Sequence, residues 1–305
     1  MTKFNIQLFA KGDNNDRSAR SYTKEFKEML TAVFSSNAYF GDFFGGELEA
    51  LDGIQNNSEA FYVKTSDIPV VVGTAYDTGE NVAFGTGTGS GSRFGKMTEI
   101  IYQDTPVPYS WEWVIHEGID RHTVNNDMDT AINDRLELQA NAKVATFNTH
   151  HGKFISSVAG KTISGGAAVT KDNVADLFAQ LSAYYVNIKA VGQRVAKVTP
   201  TVFNAIIDSG LVTSAKGSSV NIDQNTISDF RGFRIDQIPE SEFQANECVY
   251  TYIPNIGKAF TGIETARTIE AIAFDGVEFQ GAGKCGEYIL PDNKKAVAKV
   301  TVTGA

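Results

Sequence analysis

From Asp127 to Val158, apolar residues recur in three- and four-residue steps: Met128, Ile132, Leu136, Ala140, Val144, Phe147, His151, Phe154 or Ile155, and Val158. That period predicts one helix, on the order of 45 Å long at 1.5 Å per residue. Asp127 is its expected N-cap, and Gly152 is the only internal breaker. The stripe is narrow, with Asp129, Asp134, Glu137 and Lys143 opposite, so the helix reads as a girder across a sheet. Ile132, Leu136, Val144 and Phe147 are its expected sheet-packing residues.

Elsewhere the period falls to two. Tyr109, Trp111, Trp113 and Ile115 alternate with Ser110, Glu112 and Val114, which places the aromatics on one strand face, packed toward a helix. A base-stacking or sugar-binding platform is the rival reading, and it lacks nearby Lys or Arg. Val70-Val71-Val72 is a further β-branched run. Residues 1–20 are polar, and from Ser21 a short amphipathic helix is expected, with Phe26, Met29, Leu30, Val33 and Phe34 at helical spacing. After Gly165-Gly166, Thr170 is expected to cap a helix that turns Val174, Leu177, Phe178, Leu181 and Tyr185 inward. Pro200 opens a shorter helix. Strands are predicted at Arg194–Val198, Phe233–Ile238 and Cys248–Ile253, with a polar loop over 210–226. The tail alternates again over 267–279, 288–290 and 296–302, and these strands are expected to return to the sheet beneath the long helix.

Between Phe84 and Phe94 the chain reads Gly-Thr-Gly-Thr-Gly-Ser-Gly-Ser-Arg. Such a run buries little apolar surface and is entropically costly to order. A phosphate cradle is excluded by spacing. Gly95-Lys96 supplies the end of a Walker loop, but Ser90 stands where its first glycine belongs and Met97 where the hydroxyl belongs. No dinucleotide G-x-G-x-x-G can be drawn either, and a strand rather than a helix follows. The run reads as a long loop that a neighbour orders.

The 305 residues are 42% hydrophobic and 21% charged, which permits about two core-bearing units. A net charge of −9 opposes a tight, sequence-independent grip on nucleic acid. Cys248 and Cys285 give neither a disulfide framework nor zinc spacing. No apolar run approaches a membrane span, and the start lacks a secretory signal. Asn56-Asn57-Ser58 is read as a chance sequon. His116, Glu117, Asp120 and His122 form the most metal-like cluster, yet the histidines are six apart where H-E-x-x-H needs four. His150 and His151 are adjacent and point to different faces. No nucleophile elbow or catalytic cysteine signature is present, so no catalytic, metal-binding or cofactor-binding residues are expected.

The order of elements, and several local stretches, resemble one family. Residues 51–57 (Leu-Asp-Gly-Ile-Gln-Asn-Asn), 60–65 (Ala-Phe-Tyr-Val-Lys-Thr), Arg93-Phe94-Gly95, 116–120 (His-Glu-Gly-Ile-Asp), 134–140, Lys197-Val198-Thr199-Pro200 and Arg231–Ile235 are similar to major capsid proteins of tailed bacteriophages, notably those of phages of Gram-positive hosts. The resemblance implies an α+β, Hong Kong 97-type fold. Its parts would be an N-terminal arm with a short helix (1–36), a lead-in to the peripheral domain (37–59), an extended loop (60–115), a peripheral domain with the spine helix (116–160), an axial domain (161–265), and a return to the peripheral domain (266–305). It implies a structural shell subunit with no cofactor, located in the virion capsid and assembled in the host cytoplasm. The implied partners are many copies of itself in hexamers and pentamers, a separate scaffolding protein, a portal protein, and packaged double-stranded DNA by proximity; no membrane is involved. Gly85, Gly87, Gly89, Gly91, Arg93, Phe94, Gly95 and Lys96 would form the intersubunit loop, and Tyr109, Trp111 and Trp113 would join the spine packing. The short arm implies little or no processing, and no isopeptide crosslink is expected. An encapsulin-like compartment shell and a metal-dependent cytosolic hydrolase using His116–His122 remain as alternatives.

Overall fold

The computed structural model describes residues 37–45, 49–50, 59–66, 92–95, 97–124, 127–209, 220–221 and 226–304, with 68, 70, 72–74, 76–80 and 82 between them. The expected helix after Ser21, the sequon, Gly85, Gly87, Gly89, Gly91, Lys96 and most of the 210–226 loop lie outside the described residues. In chain order the elements begin with α1 (Gly41–Phe44), β1 (Glu49–Ala50), β2 (Glu59–Thr65), β3 (Gln103–Pro108), β4 (Trp111–Asp120) and the long α2 (Met128–Val158). There follow β5 (Lys161–Ser164), α3 (Val174–Asn187), β6 (Arg194–Val198), α4 (Pro200–Asp208), β7 (Val220–Asn221), β8 (Thr226–Ile227), β9 (Asp229–Phe230) and β10 (Phe233–Gln237). The chain closes with β11 (Glu247–Tyr252), β12 (Gly257–Glu270), β13 (Gly276–Ile289) and β14 (Val297–Thr301). It divides into two compact units, one of residues 53–109 and one of everything else.

The larger unit holds two sheets. One is six-stranded, in the order β5-β14-β11-β6-β10-β9. Both faces of its interior strands carry buried apolar residues, and one face also carries the Lys197–Asp236–Arg234 ion-pair group. On one face α3 and α4 bury Leu177, Phe178, Leu181, Val202 and Ile206 against Ala196, Val198, Phe233, Val249 and Val300. On the other, Ile155 and Val158 from the end of α2, with Phe40, Phe43 and Phe44, pack on Val195, Tyr250, Tyr252 and Val297. Pro200 stands at the first position of α4 and the Thr199 hydroxyl accepts from the Val202 N–H, a complete N-cap.

The second sheet runs β1-β12-β13-β4. Its frame is the hairpin of β12 and β13, whose ladder shifts register between Gly262 and Thr265. Strand β4 pairs antiparallel with β13 through ten consecutive residues, from Trp111 opposite Cys285 to Asp120 opposite Gly276.

Four sequence expectations change. Strand β14 enters the six-stranded sheet between β5 and β11, not the sheet of β12 and β13. Val297 faces one core and Ala298 and Val300 the other, and only an interior strand buries both sides. The boundary at 265 falls inside β12, so the hairpin begins at Gly257. The extended segment ends at Tyr109 rather than 115, because Trp111 onward belongs to the β13 ladder. Thr170 does not cap α3: its carbonyl accepts from Asn173 and Val174, the Asn173 side chain accepts from the Thr170 N–H, and the helix starts after that turn.

Candidate assembly surface

The 53–109 unit is built on one antiparallel pair, β2 with β3, which runs from Glu59 opposite Pro108 to Thr65 opposite Gln103. Among its described residues only Ala60 and Val107 are buried apolar side chains. Two strands seldom sustain themselves in water without a covered face. The root of the glycine run is nevertheless built. Asp77 N–H donates to the Arg93 carbonyl at 3.0 Å, and the Arg93 guanidinium returns a bond to the Asp77 carbonyl at 2.9 Å. Asp77 also accepts from the Gly79 N–H at 2.9 Å, and Gly95 turns at φ +85°. Phe94 meets Tyr76 edge to face at 5.2 Å yet stays 85% exposed. Val70, Val72, Met97, Ile100, Ile101 and Tyr102 are exposed as well. Soluble proteins rarely leave so much apolar surface together unless something covers it.

The long helix seats itself in two ways. Its C-terminal part is apolar, as above. Its first half meets the β12–β13–β4 sheet through polar groups. Arg135 donates to Glu117 through Nε at 2.6 Å and through a second guanidinium nitrogen, and Gln139 adds a bond at 2.5 Å. Arg135 holds the Glu117 carboxyl below its ordinary range. Lys143 sits 3.9 Å over the Trp113 ring and bonds Glu264 at 2.5 Å. Further along, Trp111 stacks on His150 at 4.0 Å and meets Phe147 edge to face at 4.7 Å. The Trp111 indole N–H donates to Glu287 at 2.8 Å, and Ser110 donates to the same carboxylate at 2.9 Å. Burial pushes the Glu287 carboxyl up and draws the nearby His151 imidazole down to about 4.

The expected packing stripe is therefore corrected. Leu136 is 43% exposed and Ala140 is exposed, whereas Ile132, Val144 and Phe147 are half-buried. The face turned to the sheet carries Arg135, Gln139 and Lys143, residues a search for apolar periodicity passes over. Asp127 precedes the helix without a side-chain cap bond. Trp113 is buried and Trp111 half-buried on one face of β4, and Tyr109 ends the smaller unit. Sequence reasoning also missed Gly281 and Gly283. A Cβ at Gly283 would stand 2.6–3.0 Å from Trp113 indole atoms, and one at Gly281 would stand 3.0 Å from the same ring. These glycines form the floor of the indole slot.

The histidine cluster does not converge. His116 bonds Glu278, His122 lies 3.6 Å from Asp275, and Glu117 turns to the opposite face. No group of metal-ligating side chains is assembled among the described residues, and no described helix is long and apolar enough to cross a membrane. Both cysteines are buried, and burial raises the Cys248 thiol to about 12.

The chain thus combines a girder helix across one sheet, a second sheet packed on both faces, and a hairpin-based unit that leaves several apolar side chains exposed. No protein-family model and no curated protein sequence matches the chain. Among solved structures, the capsid of cyanophage P-SCSP1u matches with TM-score 0.65 and 12% identity, over 98% of this chain and 94% of that one. The mature capsid of bacteriophage PhiM1 matches with TM-score 0.64 and 11% identity over 89% of each chain. A structure from Mycobacterium phage Che8 matches with TM-score 0.56 and 16% identity, over 82% and 86% respectively. The chain has the α+β, Hong Kong 97-type fold of tailed-phage capsid proteins.

Proposed function

We propose that this chain is the major capsid subunit of a tailed phage, a structural protein that self-assembles into a closed shell around double-stranded DNA. The carrying observation is the 53–109 unit: on a capsid-type fold, it exposes Phe94, Met97, Ile100, Ile101 and Tyr102, and among its described residues only Ala60 and Val107 are buried apolar side chains. Copies arranged by closed symmetry would cover it with heterologous contacts. In this reading 53–109 is the extended loop onto a neighbour, and α2 with the β12–β13–β4 sheet is the peripheral domain. The six-stranded sheet with α3 and α4 is the axial domain that meets its copies in rings of five and six. A separate scaffolding protein and a portal belong to the assembly, which forms in the host cytoplasm. The net charge of −9 suits DNA held by proximity, without tight binding.

The test is electron microscopy of the protein expressed with and without a co-expressed scaffold, beside size-exclusion chromatography. Closed shells or capsomer rings are expected. A stable species of 33.0 kDa, or its dimer, would contradict the proposal. Particles that retain an enzyme cargo instead of DNA would favour the encapsulin-like alternative.

A further inference from the structure

Where α1, α2, β4 and β13 meet, the larger unit buries two ionisable groups that nothing neutralises. Glu287 on β13 keeps 3% of its side-chain surface exposed and His151 on α2 keeps 13%, with 3.8 Å between Oε1 and Nε2. Both donors to the carboxylate are neutral: the Trp111 indole N–H reaches Oε1 at 2.8 Å and the Ser110 hydroxyl reaches Oε2 at 2.9 Å. His151 Nε2 is buried and has no hydrogen-bond partner. Phe44 and Phe147 pack on the imidazole, with ring centroids at 4.4 and 5.6 Å.

The charges around this pair are engaged elsewhere. On α2, His150 stacks on Trp111 and is held below its ordinary range by burial and then by Lys153, while Lys143 bonds Glu264 of β12. On β13, the Cys285 thiol donates to Thr261. On β12, Ala259 stands opposite Glu287, and the next pair, Lys258 with Tyr288, alternates to the other face. On β4, Glu112 pairs with Lys284, and from α1 Asp42 holds Arg234, Lys197 and Tyr252. Among the described residues His151 is therefore the one basic group beside the Glu287 carboxylate. A buried carboxylate without a counter-charge is costly, and so is a buried imidazole lone pair without a donor. One proton on Glu287 removes both defects, because it cancels the charge and supplies the missing donor.

We propose that Glu287 and His151 share a single proton in the folded chain, and that this proton is a pH-sensitive latch on the junction of α1, α2, β4 and β13. The Glu287 O–H donates to His151 Nε2, while the carboxyl still accepts from Trp111 and Ser110. The two groups titrate together. Burial pushes the carboxyl up and the imidazole down, so between the two steps the pair carries one proton. In the unfolded chain glutamate is ionised at neutral pH and histidine is mostly neutral above 6.5, so folding there takes up a proton. The sign follows from the raised carboxyl: its stabilisation is lost as pH rises through the folded value. The proton then leaves, the carboxylate stays buried without a counter-charge, and Ser110 and Trp111 lose a neutral anchor. The latch is a property of the folded subunit and stands apart from the shell reading.

The test is the pH dependence of urea unfolding in unassembled subunits, wild type beside Glu287→Gln. Glutamine is neutral at every pH, keeps an acceptor for Trp111 and Ser110, and offers an N–H to His151. Above about pH 7 the wild-type unfolding constant should rise more steeply than the variant's, by up to about tenfold per pH unit, the signature of one proton. Parallel curves would overturn the proposal. Infrared spectroscopy of protein carrying isotope-labelled glutamate is the second measurement. At neutral pH the wild type should show the carbonyl band of a protonated carboxyl, absent from Glu287→Gln and moved to higher frequency in His151→Leu, where the acceptor is gone. A wild-type spectrum with ionised carboxylates alone would overturn the shared proton. If Glu287→Gln does not fold, the band and its shift in His151→Leu decide, and a band that His151→Leu leaves in place would overturn the pairing.

Discussion

The seating of the long helix can be tested by three substitutions in unassembled subunits. Ile155→Ala removes a fully buried side chain from the core between α2 and the six-stranded sheet. Isoleucine-to-alanine changes at such sites cost about 2–5 kcal/mol, the sum of lost transfer energy and a residual cavity. Leu136→Ala removes a side chain that is already 43% in water, so only part of the burial contribution is lost and no closed cavity forms. About 1 kcal/mol is expected. Arg135→Ala breaks a fork to Glu117 whose partners keep 43% and 30% of their side-chain surface exposed. Exposed ion pairs contribute about 0.2–1 kcal/mol, and the bidentate geometry puts this one near the upper end. Urea unfolding followed by circular dichroism at matched slope gives the three values. The expected order is Ile155→Ala well above the other two. A Leu136→Ala cost of 2 kcal/mol or more would refute the account, because the leucine stripe would then be the seam.

Three further outcomes follow from named contacts. Gly283→Val should drive the Trp113 ring off its floor, at about 1–3 kcal/mol from overpacking, read as a lower thermal midpoint with altered indole fluorescence; an unchanged midpoint would count against the slot. Asp42 holds Arg234 at 2.5 Å, Lys197 at 3.4 Å and the Tyr252 hydroxyl at 2.8 Å, so Asp42→Asn should cost about 1–3 kcal/mol and speed proteolysis near residue 40. Wild-type proteolysis rates in that variant would show the clasp to be idle. His151 is drawn to about 4 by burial, against an ordinary 6.5, so the folded state resists its proton, and stability falls as pH drops from 6.5 through 4. The full effect is on the order of 3 kcal/mol. Glu287, pushed up by burial, acts in the opposite sense, losing stability as pH rises through its folded value. His151→Leu should flatten the acid limb of a denaturation-versus-pH curve; superimposable curves would exclude the imidazole as its cause.

Periodicity alone made β4 and α2 legible, since strict alternation and three- and four-residue steps are backbone geometry written into side-chain order. The working face of α2 was not legible, because its first half packs through Arg135, Gln139 and Lys143, and their aliphatic stems and charges lie outside any apolar count. The Gly281 and Gly283 pair reads in sequence as weak strand material and becomes meaningful only once Trp113 is seen lying across it. The sheet that takes β14 is not legible in sequence, because Val-Ala-Lys-Val-Thr reads as a buried strand without saying which neighbours bury it. The glycine run at 85–91 lies outside the described residues, while its root at Asp77 and Arg93 shows how the chain closes the base of the loop.

If other copies of the chain complete the 53–109 unit, shortening its loop should block assembly without unfolding the subunit. Sedimentation of the full-length protein beside a variant lacking Thr86–Ser92 measures it most directly, with circular dichroism confirming that both are folded. Shell-sized particles are expected from the 305-residue chain, and folded, soluble, unassembled subunits from the deletion. Normal shells from the deletion variant, or a full-length protein that sediments as a 33.0 kDa monomer, would contradict it.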